Sequence, residues 1–145
     1  MTRLNWTRIL VGVLVAAIIM FLSDGWLHES VLGADWKAVY AGLGATAPKH
    51  SAAGLVYFAV FELGRAFTAV FLYALLRSHF GPGPKTAVFA GIVGWLAFSV
   101  TGPAQFIPLG FYSHNLWLKV AGAQLIVSIL ATIAGGALYK DPSNG

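Results

Sequence analysis

The chain contains no cysteine. That excludes disulfides, thiolate metal sites and cysteine nucleophiles. Charge is scarce as well: 10% of the 145 residues are Asp, Glu, Lys or Arg, against roughly 25% in a soluble domain. From Thr86 to Leu118 there is no formal charge at all. Also missing are a phosphate-binding glycine loop, a nucleophile elbow and a His-Glu-x-x-His helix. The histidines, His28, His50, His79 and His114, fall between the apolar runs. A four-helix haem protein needs imidazoles that project from its spans into the bundle, so no haem, other cofactor or metal is expected. The net charge is +4, but the basic residues are scattered rather than clustered on one face. Nucleic-acid binding is not expected from that distribution.

What the chain has is apolar length, with 58% hydrophobic residues. Four runs are long enough to approach or cross a bilayer, which takes roughly 20 residues. They predict a single integral membrane domain over 1–145, with spans at about 7–26, 53–76, 86–101 and 116–139. The expected fold is an all-α, antiparallel bundle of four transmembrane helices. The first run follows Arg3 and Arg8, so a signal peptide competes with a retained helix. Ser23-Asp24-Gly25-Trp26 is a poor cleavage site, which favours the helix. Between the first two spans, Trp36, Val39, Tyr40 and Leu43 recur at helical spacing behind Asp35, which suits an N-cap. This spacing predicts a short amphipathic helix on the membrane surface. Arg77 to Lys85 form a tight basic turn rich in Gly and Pro. Gly102-Pro103 is expected to stop the third span near Thr101. The apolar piece 102–115 then reads either as an exposed loop or as a short interfacial or re-entrant piece. Trp6, Trp26, Trp117 and Tyr139 are placed to act as interface anchors.

Basic residues set the orientation. With the N-terminus inside, Arg3, Arg8, Arg77, Lys85 and Lys140 lie inside and Lys37, Lys49 and Lys119 outside. Both termini are therefore expected in the cytoplasm, in a multi-pass protein of the cell (inner) membrane. Small residues repeat at spacing four: Gly12 with Ala16, Ala87 with Gly91, Ala90 with Gly94, and Ser128, Thr132 and Gly136. Such rows let helices approach closely in lipid.

Glu62 and Arg65 stand near the middle of the apolar run from Ala52 to Leu76. A charge at that depth costs roughly 2.5–3.5 kcal/mol on insertion scales and usually faces protein or water. A spacing of three puts both on one helical face. Gln124, Ser128 and Thr132 on the fourth span fall at matching depth and are candidate polar partners. The pair reads as a structural register lock, or as a proton or anion path or substrate anchor, or as a docking point for a partner's helix. Asp24, His28, Glu29 and His114 form a second candidate group, an outer-face polar cluster. Divalent cation binding competes there with ordinary hydrated interface residues.

Trp26 and Val31-Leu32-Gly33-Ala34-Asp35-Trp36 resemble the tryptophan–Phe-Gly-Lys–tryptophan signature of an uncharacterised family of small four-helix bacterial membrane proteins. Ala90-Gly91-Ile92-Val93-Gly94-Trp95-Leu96-Ala97-Phe98 is similar to that family's Gly-rich third helix. Leu116-Trp117-Leu118-Lys119, running on to Gly135-Gly136-Ala137, is similar to its fourth. Leu27-His28-Glu29 departs from the usual Tyr-Ser-Pro, and Asp24 from a small residue. The resemblance implies four helices and carries over no catalytic residue.

Three function classes follow. The first is a structural or accessory membrane component without catalytic chemistry, homo-oligomeric or bound in a larger membrane complex. The alternative is a subunit of an oligomeric transporter or channel for small solutes, ions or protons, using Glu62 and Arg65. A lipid or quinone enzyme ranks last, because no acid, base and nucleophile set is present. The bilayer is the partner common to all. The topology has a direct test: cysteine introduced at Lys49 should label from outside and cysteine at Gly83 should not, and the reverse pattern would invert the orientation.

Overall fold

The computed structural model describes residues 4–45, 51–111 and 113–141. Arg3, Lys49 and His50, used above for orientation and as candidates, lie outside the described residues. Asn5 opens the first helix by accepting a hydrogen bond from the Arg8 amide on its Oδ1 at 3.2 Å, an N-cap that satisfies one orphan donor. Helix α1 runs Trp6–Trp26 and continues as a π-helical segment, Leu27–Val31. Next come α2 (Gly33–Gly42), α3 (Ala52–Phe80), α4 (Pro84–Trp95) with a π-helical extension Leu96–Thr101, a last turn α5 (Gly102–Ala104), and α6 (His114–Ala137). The described residues are helical with turns and contain no strand. Four helices, Trp6–Val31, Ala52–Phe80, Pro84–Ala104 and His114–Ala137, are long and apolar enough to cross a membrane.

Four boundaries differ from the sequence-based expectation. The second spanning helix runs on to Phe80, so Arg77 and His79 lie in its last turn and not in the basic turn. The first helix does not end at Trp26: the Leu32 amide reaches back five residues to the Leu27 carbonyl at 2.9 Å, so the wider turn carries the helix onward. The third helix passes Gly102-Pro103. A proline ring in a regular α-helix meets the carbonyl four residues earlier, and the widened turn ahead of Pro103 relieves that conflict. The Val100 carbonyl accepts from Trp117 Nε1 at 3.2 Å, so a carbonyl in this widened stretch has a partner. Asp35 is not an N-cap. Leu32 occupies that position, and Asp35 sits in the first turn of α2 with its carboxylate on Lys119 Nζ at 2.9 Å. The stretch after α5 forms successive turns, Ile107 to Ala104 and Gly110 to Ile107, with Gly110 at φ 78°.

Helix α1 packs against α3 and α6, while α4 packs against the same two from another side. Alanines and glycines make this approach possible. A Cβ added to Gly12 would stand 2.5 Å from the Gly135 carbonyl oxygen, and one added to Gly135 would stand 2.5 Å from the Gly12 oxygen. Gly91 lies over α6 in the same way: a Cβ added to it would stand 3.1 Å from Ser128 O and Ile129 Cα. Gly136 receives the Tyr73 ring. In lipid these close contacts replace the hydrophobic driving force available in water. At the far end, Tyr139 is buried rather than an exposed anchor. Its ring faces the Arg77 guanidinium at 4.9 Å, and its carbonyl accepts from Arg77 Nη1 at 3.0 Å. Helix α2 packs Trp36 and Val39 onto Leu27, Leu32, Leu116 and Val120, while Leu43 is exposed.

Gly12→Leu should force α1 and α6 apart and lower stability in detergent by at least the ~1–3 kcal/mol typical of overpacking. Gly122→Leu, where nothing lies within 4 Å of the new Cβ, should be near neutral. Thermal unfolding of both variants checks the assignment of the contact.

Candidate functional site

Three spans bring polar side chains to one buried place. On α1 the row Gly12, Ala16, Met20, Asp24 advances four residues at a time, and all four are buried. Helix α3 presents Glu62 and Arg65 inward, and α6 presents Gln124. Relative exposures of 6% for Asp24, 4% for Glu62 and 3% for Arg65 place all three charges inside the protein, out of lipid.

Arg65 Nη1 donates to Glu62 Oε1 at 3.0 Å and Oε2 at 2.9 Å. The same nitrogen donates to Asp24 Oδ2. Gln124 Nε2 donates to that Asp24 oxygen at 2.7 Å. The guanidinium carbon also lies 5.7 Å from the Phe61 ring centre, within cation–π range. One guanidinium thus serves two carboxylates through a single nitrogen, instead of gripping one with its fork. Asp24 Oδ1 and Arg65 Nη2 are buried with no protein partner. Beside the cluster, an apolar groove between α1 and α3, lined by Leu14, Ala17, Ile18 and Leu63, reaches Glu62.

The sequence-based candidates sort unevenly around this centre. Glu62 and Arg65 do meet. Gln124 is close, but it serves Asp24 rather than either of them. Ser128 and Thr132 are buried on the same face of α6 but bond elsewhere: Ser128 Oγ donates across to the Gly91 carbonyl of α4 at 2.9 Å, and Thr132 Oγ1 donates within α6 to the Ser128 carbonyl at 2.6 Å. Of the expected outer-face cluster, Asp24 and Glu29 lie within electrostatic reach of His28. Asp24 turns into the core. His28 accepts from Trp36 Nε1 on its Nδ1 at 2.8 Å. Glu29 and His114 are exposed. Among the described residues, no three His, Asp or Glu side chains are grouped to hold a metal.

Asp24 is the residue that sequence reasoning missed as a core partner. The signal was present, because it continues the Gly12–Ala16 row by two further steps of four. The π-helical turn begins three residues after it, and such turns recur at functional sites. No family model, curated protein or solved structure matches the chain, so the site is interpreted from its own geometry.

With Asp24 in the cluster, three charges set the response to mutation. Arg65→Ala leaves two buried carboxylates facing each other and should cost at least the ~3–5 kcal/mol of a broken buried pair. Glu62→Gln leaves Asp24 on Arg65 and should be much milder. Glu62→Leu with Arg65→Met strands Asp24 and should not recover stability until Asp24→Asn is added. Thermal unfolding across this series checks the order; recovery in the double variant would show that Asp24 does not belong to the cluster.

Proposed function

We propose that this is a non-enzymatic, multi-pass membrane protein that acts as a structural or accessory component, self-associating or held in a larger membrane assembly. The observation that carries the reading is the cluster of Asp24, Arg65, Glu62 and Gln124. Its polar groups are spent mainly on one another, and they tie α1, α3 and α6 together. The proposed arrangement is an antiparallel four-helix bundle with α2 lying on the outer membrane surface, in the cell (inner) membrane with both termini cytoplasmic. The partition of basic residues supports the orientation, and the half-buried Trp36 and Val39 support the placement of α2. Membership of the small four-helix bacterial family that the chain resembles is part of the same proposal, supported by the tryptophan and glycine motifs.

A specific observation favours a second reading, a subunit of an oligomeric carrier or channel for ions, protons or small solutes. Two acids converge on one base, and an apolar groove reaches one of them. Four spans of this length enclose little volume, so this reading requires an oligomer.

Native mass spectrometry of gently extracted membranes, paired with ion flux in liposomes, separates the two. The accessory reading expects a discrete complex with itself or another protein and no flux above empty vesicles. Flux that is lost in Arg65→Ala, measured on protein that still folds, would overturn it in favour of the carrier.

A further inference from the structure

We infer that the Asp24–Arg65–Glu62 cluster binds one further unit of positive charge, a proton or a sodium-sized monovalent cation, shared by the Asp24 and Glu62 carboxylates. This holds under either reading above, since it concerns the charge state of the cluster and not what the assembly does.

Charge parity is the starting point. Arginine stays protonated in proteins and supplies a single positive charge. Asp24 and Glu62 both accept hydrogen bonds from its Nη1, so two carboxylates crowd one nitrogen. With both ionised the cluster carries a net negative charge in a span that offers little solvation. No second cationic side chain among the described residues is hydrogen-bonded to Asp24 or Glu62. The α6 contribution, Gln124, is neutral. Lys119 on α6 is held by Asp35 of α2. On α1, His28 lies within electrostatic reach of Asp24 and Arg65, with Glu29 near it. Lys37 belongs to α2. Lys85 at the start of α4, and Arg77 and His79 at the end of α3, stand at the opposite ends of their helices.

The orphaned atoms point to the same site independently. Asp24 Oδ1 can only accept while the carboxylate is ionised, and Arg65 Nη2 can only donate. Both are buried without a protein partner, on side chains 8% and 3% exposed. An added positive charge answers the orphaned acceptor. If it is a proton, an O–H bond forms on one oxygen of the carboxylate pair as one O–H bond of hydronium breaks, leaving one neutral acid, one carboxylate and a released water. A monovalent cation supplies the charge without bond making, with Asp24 Oδ1 among its ligands. A purely structural lock would need only one acid for its one base.

The test uses the full chain, purified in detergent or nanodiscs near neutral pH. Exposed carboxylates are ionised there, so a protonated-carboxyl band in the infrared reports a buried acid. In sodium-free choline chloride the wild type should show that band, and Asp24→Asn should lack it. If the charge is a proton, the band and the thermal midpoint stay the same when sodium chloride replaces choline chloride at equal ionic strength. If it is sodium, that exchange removes the band and raises the midpoint, and Asp24→Asn responds to neither salt. Glu62→Gln removes the same surplus acid while keeping Asp24 on Arg65, and serves should Asp24→Asn not fold. A wild type with no such band in choline chloride and no thermal preference among choline, potassium and sodium overturns the inference.

Discussion

The guanidinium of Arg65 is the constraint on which the rest depends. A permanent charge within a membrane span must be matched by protein, and here the match comes from two other helices as well as its own. Glu62 needs only the local spacing of three along α3. Asp24 must be delivered by α1 and held by Gln124 from α6. The relative rotation and height of α1, α3 and α6 are therefore tied to the geometry of a few polar atoms. A sliding error of one helical turn would leave a charge stranded.

Close packing makes that delivery possible. Gly12 against Gly135 brings α1 and α6 into backbone contact, and Gly91 does the same for α4 and α6. Along α1, the row that begins with Gly12 ends with Asp24, so one helical face holds both the tightest contact and the charged one. Along α6, Gln124 opens a row whose later members, Ser128, Thr132 and Gly136, seat α4 and Tyr73. Polar side chains on these faces either complete the ion cluster or close a helix contact.

The widened turns serve the same end. The π-helical segment after Trp26 lets the helix run past the place where its apolar run stops, so Asp24 is followed by further helix and not by a loop. The one before Pro103 extends the third span and places the Val100 carbonyl under Trp117. Trp95 Nε1 reaches the Ala121 carbonyl at 2.7 Å, a second indole fastening α4 to α6. Tryptophans that composition would assign to the membrane interface are here partly used as fasteners between helices.

Sequence alone determined the class of this protein. Apolar run lengths report spans because a bilayer has a fixed thickness, and the spacing of Glu62 and Arg65 reports their pairing because both sit on one helix. The turn at 81–84 was legible for the same local reason, as glycine and proline act on their own backbone. What only tertiary structure decided is everything that needs two helices at once. Asp24 looks like an interface residue beside Gly25 and Trp26, and becomes a core ion only when α1 continues and α3 lies against it. Ser128 and Thr132 lie one and two turns beyond Gln124 and face α4, a rotation that spacing along one helix cannot reveal. Gly135 is indistinguishable from Gly136 in the sequence until α1 is laid across it. Periodicity specifies a face, and the neighbouring helix decides what that face meets.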